Sequence, residues 1–317
     1  MRIARLLAAL LVAGLGLAAA PAWSFTVVPL GVGFVFPVGI AIDHSGNVFV
    51  ADFTANAVKE ILAAGGYHTA NTLGSGFSGP TGVAVDGSGN VFVADFKNGA
   101  VKEILAAGGY TTVNTLSSSF VNPHGIALDG SGNVFVTDTN TQTVKEILAA
   151  GGYTTVLTLG SGFSQPSGVA VDGSGNVFVA DSNNSAVKEI LAAGGYTTVL
   201  TLGSGFTFPD AVAVDGSGNV FVADGSDNVA KEILAAGGYV TVNTLASGFS
   251  FPEGIALDGS GNVFVADSEN GSIKEIVGAD PQPVPVPVPA LAPGGLALLS
   301  LLLGGAGWWR FGGAGQG

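Results

Sequence analysis

A single unit of 43 residues is repeated six times along this chain. The proline that opens each unit recurs at constant spacing, at Pro37, Pro80, Pro123, Pro166, Pro209 and Pro252. A period of about 40–45 residues, rich in β-branched residues and in glycine-bounded turns, is typical of the blades of a β-propeller. We therefore predict an all-β, six-bladed propeller over residues 25–280, with four strands in each blade.

The second unit shows how the four strands divide a repeat. Its apolar runs predict strands that we name a, b, c and d, at residues 82–86, 91–95, 100–105 and 110–116. Strands a and b are joined by Gly-Ser-Gly between Asp86 and Asn90, a composition that favours a tight turn. Run c continues into Ala-Ala-Gly-Gly and contains strong helix formers with a glycine stop. An array of alternating strands and short helices is therefore an alternative to the propeller.

The N-terminal residues favour a closed ring. Residues 25–34 align with the d strand and its exit at 196–206, whereas the sixth unit stops at Val277 without a d strand. The first residues thus supply the strand that the last unit lacks, which joins the ends of a ring without leaving free edges. An open array has no use for such a strand. Pro29 lies within it, and an outermost strand tolerates proline.

Charge and cysteine content restrict the partners. The net charge is −13 at pH 7, from 10 Lys and Arg against 23 Asp and Glu. Nucleic acid and anionic membrane surfaces are therefore poor partners for the propeller. There is no cysteine, which excludes disulfides and thiolate metal sites. We expect a monomeric propeller without a cofactor.

Both ends of the chain are predicted to be targeting segments. Arg2 and Arg5 precede an apolar run, and Ala-Trp-Ser at 22–24 offers a cleavage site, so residues 1–24 are predicted to be a signal peptide cleaved at Ser24. An uncleaved anchor helix is the alternative. Residues 281–289 alternate proline and predict an extended linker.

The last segment, 290–317, is predicted to reach a membrane. Its apolar run from Ala290 to Trp309 is long enough to span about 30 Å as a helix, and Arg310 follows it. We therefore expect an exported protein of the periplasm, cell envelope or extracellular space, directed to the membrane by a C-terminal helix.

This tail resembles the bacterial sorting signals of the PEP-CTERM type, in the variant that begins Ile/Val-Pro-Thr-Leu. The residues at that motif's position are Val288, Pro289, Ala290 and Leu291. The resemblance implies processing by a sorting protease. The tail departs from the family in having one basic residue instead of a cluster, and a permanent one-helix anchor is the alternative.

The repeat itself resembles the NHL repeat. The pattern Pro-x-Gly-Val-Ala-Val-Asp-x-x-Gly-Asn-Val-Phe-Val-Ala-Asp-x-x-Asn-x-x-Val-Lys recurs in all six units with a few substitutions. The Leu-Ala-Ala-Gly and Thr-Thr-Val-x-Thr-Leu segments also resemble the six-bladed extracellular sensor domain of a mycobacterial serine/threonine kinase. These resemblances imply a six-bladed propeller and a role in binding rather than chemistry. The family's usual Asn-x-Arg-Val lacks its arginine here.

Charged residues recur in every unit. One aspartate follows strand a and another ends strand b; together they are Asp43, Asp86, Asp129, Asp172, Asp215 and Asp258, then Asp52, Asp95, Asp138, Asp181, Asp224 and Asp267. We predict that they cap turns by accepting backbone N–H groups, with rings of calcium ligands as the alternative. The recurring Lys-Glu pairs (Lys59-Glu60 to Lys274-Glu275) are predicted to be exposed or paired across strands.

Differences among the six units gather at two positions. One is the residue after the proline, and the other is the b–c loop. Because strands alternate in direction, both positions lie at the same end of the ring, which we call the b–c face; loops on a rigid scaffold carry recognition. Drift in exposed loops is the alternative. The candidate binding residues are Thr81, His124, Ser167, Asp210, Asp227, Glu253 and Glu269.

No catalytic or metal-binding constellation emerges from the sequence. The three histidines, His44, His68 and His124, occupy different positions of the repeat, and only His124 is expected at the channel mouth. We therefore predict a non-enzymatic module that binds a protein, peptide or glycan at the b–c face. The alternative is an extracytoplasmic, metal-dependent lyase or lactonase with its site in the central channel.

Overall fold

The computed structural model describes residues 25–31 and 33–278, and these form six four-stranded antiparallel sheets. The six sheets, or blades, confirm the predicted all-β propeller. The 24 strands are β1 Phe25–Leu30, β2 Pro37–Ile42, β3 Val48–Asp52, β4 Ala57–Ile61, β5 Ala70–Leu73, β6 Pro80–Val85, β7 Val91–Asp95, β8 Ala100–Ile104, β9 Val113–Ser117, β10 Pro123–Leu128, β11 Val134–Asp138, β12 Thr143–Leu148, β13 Thr155–Leu159, β14 Pro166–Val171, β15 Val177–Asp181, β16 Ala186–Ile190, β17 Val199–Leu202, β18 Pro209–Val214, β19 Val220–Asp224, β20 Val229–Leu234, β21 Thr241–Ser247, β22 Pro252–Leu257, β23 Val263–Asp267 and β24 Ser272–Gly278. The predicted signal peptide, linker and sorting segment lie outside the described residues.

The ring closes as predicted. The first strands of successive blades contact one another in the order β2, β6, β10, β14, β18, β22 and back to β2. β1 completes the sixth blade by pairing antiparallel with β24, from Phe25 opposite Gly278 to Leu30 opposite Ile273. β1 is the outermost strand of its sheet, so Pro29 removes no inner ladder bond.

Run c forms a strand in every blade, so the strand–helix array is wrong for the described part of the chain. There, the only helical elements are two short 3₁₀ turns, Phe96–Asn98 and Ser182–Asn184. In the first blade β4 pairs with both β3 and β5, and this buries Val58 and Ile61 completely. Burial between two partner strands overrides a helix propensity that is marginal in so short a segment.

Some predicted strand ends were displaced by a few residues. Strand b of the second blade was correct, but strand d begins at Val113 rather than Tyr110. Tyr110 has a φ of 62° and ends the Gly-Gly turn, as Tyr67, Tyr153, Tyr196 and Tyr239 do in their blades. Each Tyr ring then packs against a phenylalanine of the neighbouring blade, such as Phe49 beside Tyr110 at 6.3 Å between ring centroids. That contact holds the tyrosine in the turn, so strand d of the second blade begins three residues later than predicted.

The hydrophobic core consists of six clusters, each at a junction between neighbouring blades. The closing junction joins Leu30 of β1, Ile40 and Ile61 of the first blade and Phe264 of the sixth. Five of the six strand-b phenylalanines are at most 2% exposed, including Phe49 and Phe92. Burying one such ring stabilises a fold by roughly 1.5–3 kcal/mol. The core therefore holds each blade against its neighbours, and the loops at the two ends of the ring lie outside it.

Glycine allows the innermost strands to converge on the channel. A Cβ on Gly82 would lie 2.4 Å from the carbonyl oxygen of His124 in the next blade, and one on Gly39 would lie 2.2 Å from that of Thr81. Five blades have glycine at this position, and the fifth blade has Ala211. The channel wall is therefore regular except in the fifth blade.

Candidate functional site

The first aspartate ring caps turns, as predicted. In the first blade Asp43 Oδ1 accepts the backbone N–H groups of Ser45 and Asn47, both at 2.8 Å, and its Oδ2 accepts the Asn47 amide. The same pattern recurs in all six blades. These carboxylates are occupied in building the end of the ring opposite the b–c face.

The second aspartate ring forms buried ion pairs with the repeated lysines. Asp52 Oδ2 lies 2.8 Å from Lys59 Nζ, and the Asp52 carboxylate also accepts the backbone N–H groups of Val35 and Phe36. Lys59 in turn lies over the Phe34 ring, 5.1 Å from its centroid. The aspartates therefore cap the preceding loop as predicted, and the lysines pair across strands.

The glutamates of the Lys-Glu pairs were less well predicted. Glu60, Glu146 and Glu189 are only 4–7% exposed, so the expectation of an exposed side chain is wrong for them. Each lies opposite the buried phenylalanine of strand b, as Glu60 does opposite Phe49. Burial raises the pKa of all three carboxyl groups.

At the b–c face the residues after the prolines surround the mouth of the channel. A cavity of about 60 Å³ is lined there by Val38, Thr81, His124, Asp210 and Glu253, with the glycines that follow several of them. Ser167 does not line it. The structure thus brings together four of the seven predicted site residues: Thr81, His124, Asp210 and Glu253.

Two of the predicted residues act mainly as links between blades. Thr81 Oγ1 donates to the carbonyl oxygen of His124 at 3.0 Å, and Ser167 Oγ donates to that of Asp210 at 2.7 Å. Ser167 also bonds Ser182 Oγ at 2.6 Å. Both hydroxyls are buried, so their roles are structural.

The two loop acids are exposed and already partnered. Asp227 Oδ2 lies 2.7 Å from Lys231 Nζ, and its Oδ1 accepts the Thr207 hydroxyl. The bonds from Lys231 and Thr207 lower the pKa of Asp227. Glu269 accepts the Ser250 hydroxyl at 2.8 Å. They contribute negative charge to the rim but do not line the cavity.

Asp210 has the most unusual environment of the site. It is 5% exposed, and among the described residues its Oδ2 is the one buried side-chain polar atom without a hydrogen-bond partner. Burial, with the negative charges of Glu253 and Asp224, raises the pKa of Asp210 to about 9. The carboxyl is therefore protonated at neutral pH. It can donate a hydrogen bond, or it can lose its proton and become negatively charged when a cation binds.

Gly225 makes room for that carboxyl. A Cβ on Gly225 would lie 2.2 Å from Asp210 Oδ2 and 3.4 Å from Cε2 of Phe251. At the position of Gly225 the other blades have Phe53, Phe96, Thr139, Ser182 and Ser268. Only glycine leaves this space, which we call the acidic notch and define by Asp210, Gly225, Phe251 and Glu253.

Sequence reasoning singled out Asp210 and Glu253 but missed Gly225 and Phe251. The signal was present, because Gly225 breaks a column of side-chain-bearing residues among the six units. Its meaning required the contact with Asp210, 15 residues earlier in the chain, which the repeat alone does not show.

Glu253 and His124 complete the electrostatics of the mouth. Burial, with the charge of Glu269, raises the pKa of Glu253 to about 7. Burial lowers the pKa of His124 to about 4, although the backbone carbonyl of Ser167 opposes this. The His124 side chain reaches the solvent of the channel yet is surrounded by protein, so the imidazole is neutral at physiological pH.

The two sides of the b–c face differ in chemistry. On the first three blades Phe36, Phe53, Phe96 and His124 follow one another at ring-centroid separations of 6.1–6.4 Å. Lys97 lies over the Phe53 ring at 4.5 Å. On the fifth and sixth blades the acidic notch takes their place. An aromatic side that carries the positive charge of Lys97 therefore faces an acidic side across the channel mouth.

Over residues 25–31 and 33–278, no group of three or more His, Asp or Glu side chains is arranged to hold a metal ion. In the same residues no helix is long and apolar enough to cross a membrane.

Comparison with known proteins agrees with the repeat. Segments 77–104, 120–147, 163–190 and 249–276 match the NHL repeat. These four segments cover parts of the second, third, fourth and sixth blades. No curated protein matches the chain in sequence.

Solved propellers are similar in fold. A gluconolactonase from Xanthomonas campestris has a TM-score of 0.69 at 13% identity, over 80% of this chain and 90% of its own. An auxiliary nutrient binding protein from Bacteroides thetaiotaomicron has a TM-score of 0.67 at 13% identity, over 81% and 77%. Virginiamycin B lyase from Staphylococcus aureus has a TM-score of 0.60 at 12% identity, over 80% and 99%. At such identities the likeness shows the fold alone, and it includes both binding proteins and enzymes.

Proposed function

We propose that this NHL-repeat propeller is a non-enzymatic binding module that takes a peptide, protein or glycan ligand at the b–c face. The observation that carries the proposal is the clustering of departures from the repeat. Ala211 and Gly225 each break a column of the six units, Asp210 stands in the column where all six units differ, and the three residues lie together in one blade. Asp210 Oδ2 and the backbone of Gly225 are in direct proximity.

Symmetry explains why such departures matter. A six-fold repeated surface offers six equivalent weak sites, whereas one tight site needs local differences in side chains. The opposite face keeps the same aspartate-capped turn in every blade, with Asp86 and Asp215 accepting the same backbone groups. The acidic side of the b–c face favours a cationic or hydroxyl-rich partner. The nutrient-binding neighbour offers support at the level of fold only.

The test compares the two faces. The full chain is screened against phage-displayed random peptides and a panel of soluble oligosaccharides. We expect binders to lose affinity for the D210A/E253A variant and to keep it for S88A/S217A, a matched pair of exposed turn residues on the opposite face. A loss of affinity confined to S88A/S217A would place the site on the face opposite the b–c face and overturn the proposal.

The same preparation tests the enzymatic alternative. The structural neighbours include a gluconolactonase, a streptogramin B lyase and a virginiamycin B lyase crystallised with quinupristin, so gluconolactone and quinupristin are the substrates to try. Turnover that chelation abolishes, together with a lowered melting temperature, would overturn the non-enzymatic proposal. Unchanged compounds and a melting temperature that does not respond to chelation support it.

A further inference from the structure

Resting on the binding face proposed above, we propose that the group held in the acidic notch is an organic ammonium ion, such as the tip of a lysine side chain. It would lie between the carboxylates of Asp210 and Glu253 and beside the ring of Phe251. Three features of the notch support a ligand of this chemical class.

The first feature is a buried carboxyl that lacks a cation. Asp224, in the same blade, is paired with Lys231, and the corresponding aspartate of each other blade has its own lysine. The seventh lysine of the described residues, Lys97, lies over the Phe53 ring instead. Asp210 therefore has no such partner, and its Oδ2 makes no hydrogen bond. Buried carboxylates are stable when a cation pairs with them.

The second feature is an aromatic wall. Phe251 and Phe208 lie 6.3 Å apart between centroids at an interplanar angle of 30°, and Phe251 Cε2 and Asp210 Oδ2 flank the same point above Gly225. Phe251 has a φ of 49°, an unfavourable value for a bulky residue, and Asn228 Oδ1 holds its N–H at 2.8 Å. In the second blade the same position is Gly79, for which this conformation is free. Aromatic rings attract ammonium groups and contribute nothing to a neutral sugar hydroxyl by this route.

The third feature is size. The cavity of about 60 Å³ has room for a few water molecules. It can take the end of an alkylammonium chain. Gly225 lets the Asp210 carboxyl lie against its backbone, because a side chain there would clash with Asp210 Oδ2.

Binding of a cation in this notch should release a proton. The groups that face Asp210 are Glu253 and Asp224, the latter already paired with Lys231, and Glu269 lies beyond Glu253. Without a ligand the carboxyl of Asp210 is protonated at neutral pH. An ammonium ion beside it favours the carboxylate, so the proton leaves as the ligand binds. A neutral ligand causes no such release.

The experiment compares two probes that differ only in the terminal ammonium group, Nα-acetyl-lysine methylamide and N-acetyl-norleucine methylamide. Binding to the full chain is followed by saturation-transfer NMR, and proton release by calorimetry at neutral pH in buffers of different ionisation enthalpy. We expect the lysine probe to bind with proton release and the norleucine probe not to bind. D210N/E253Q and, separately, G225S should weaken binding at least tenfold, and S88A/S217A should not change it.

Each other outcome overturns the inference. Equal binding of both probes, or of methyl glucoside in their place, removes the role of charge. If the lysine probe still binds D210N/E253Q and G225S, its site is elsewhere on the protein. If it binds without releasing a proton, Asp210 is not part of the site. If the lysine probe fails but the screened peptides or oligosaccharides still depend on D210A/E253A, the ammonium class is wrong while the proposed function stands.

Discussion

The position of the Asp210 carboxyl depends on the absence of a side chain at Gly225. Asp210 could not keep its carboxyl in place beside a serine, threonine or phenylalanine, which occupy the position of Gly225 in the other blades. The two residues must therefore differ from the repeat together. This coupling is the reason that a comparison of aligned units locates variable positions but does not reveal which of them contact one another.

Replacing Asp210 by Asn should change how stability depends on pH. The folded pKa is about 9 and the ordinary value 3.8, so between these pH values the unfolded chain has lost a proton that the folded protein retains. The stabilisation by this proton is full below about pH 4 and is lost as the pH rises through 9, at up to ~1.4 kcal/mol per pH unit. D210N, neutral throughout, should be the more stable protein at alkaline pH and show a flatter profile.

Urea denaturation at acidic, neutral and alkaline pH measures this profile. The matched control is D227N, because Asp227 is exposed and its pKa is lowered by Lys231, so it does not titrate in this window. Glu253 contributes in the same direction as Asp210 up to about pH 7 and remains in the variant. Parallel profiles for the wild type and D210N would show that Asp210 is ionised at neutral pH.

At the scale of elements, β1 determines whether the ring closes. Leu30 is 7% exposed and packs in the cluster shared by the first and sixth blades, whereas Val28 in the same strand is 37% exposed. L30A should destabilise the protein by about 2–5 kcal/mol, as for other buried leucines. V28A should stay within about 0.5 kcal/mol of the wild type. Equal effects of the two substitutions, measured by chemical denaturation, would contradict a closing role for this strand.

The sequence predicted the elements well where the pattern was local and less well where distant contacts decide. Strand b was correct because its buried apolar run is bounded by Asn90 and by Asp95. Run c was ambiguous because its residues favour a helix until neighbouring strands bury Val58 and Ile61. The start of strand d was wrong because the packing of Tyr110 on Phe49 belongs to the junction between blades.

The candidate site divides in the same way. Asp210 and Glu253 were predicted because they stand in a column at the channel mouth where all six units differ. Thr81 and Ser167 stand in the same column, but their hydroxyls bond backbone carbonyls of the next blade, which no pattern within a unit reveals. The depth at which Asp210 is buried, and hence its raised pKa, is likewise a property of the assembled ring.

At the scale of the whole molecule, the propeller and the predicted tail differ in charge, because the repeats are acidic and the run from Ala290 to Trp309 is uncharged. With a net charge of −13 and an isoelectric point near 4.3, the protein is repelled by anionic membrane surfaces. Association with a membrane must then come from apolar segments, and the run from Ala290 to Trp309 followed by Arg310 has the required length and order. We propose that the protein is exported and that this tail directs it to the membrane, either as a sorting signal or as an anchor.

The tail can be tested without altering the propeller. In membrane fractionation of cells that produce the full chain, we expect the protein to sediment with the membranes, and protein lacking residues 281–317 to be soluble. L302K places a charge within the apolar run, at a cost of about 2.5–3.5 kcal/mol for insertion, and should also release the protein. L302A is the matched control and should stay with the membranes, because alanine keeps the run apolar. Identical fractionation of all four proteins would show that the membrane is not the destination of this segment.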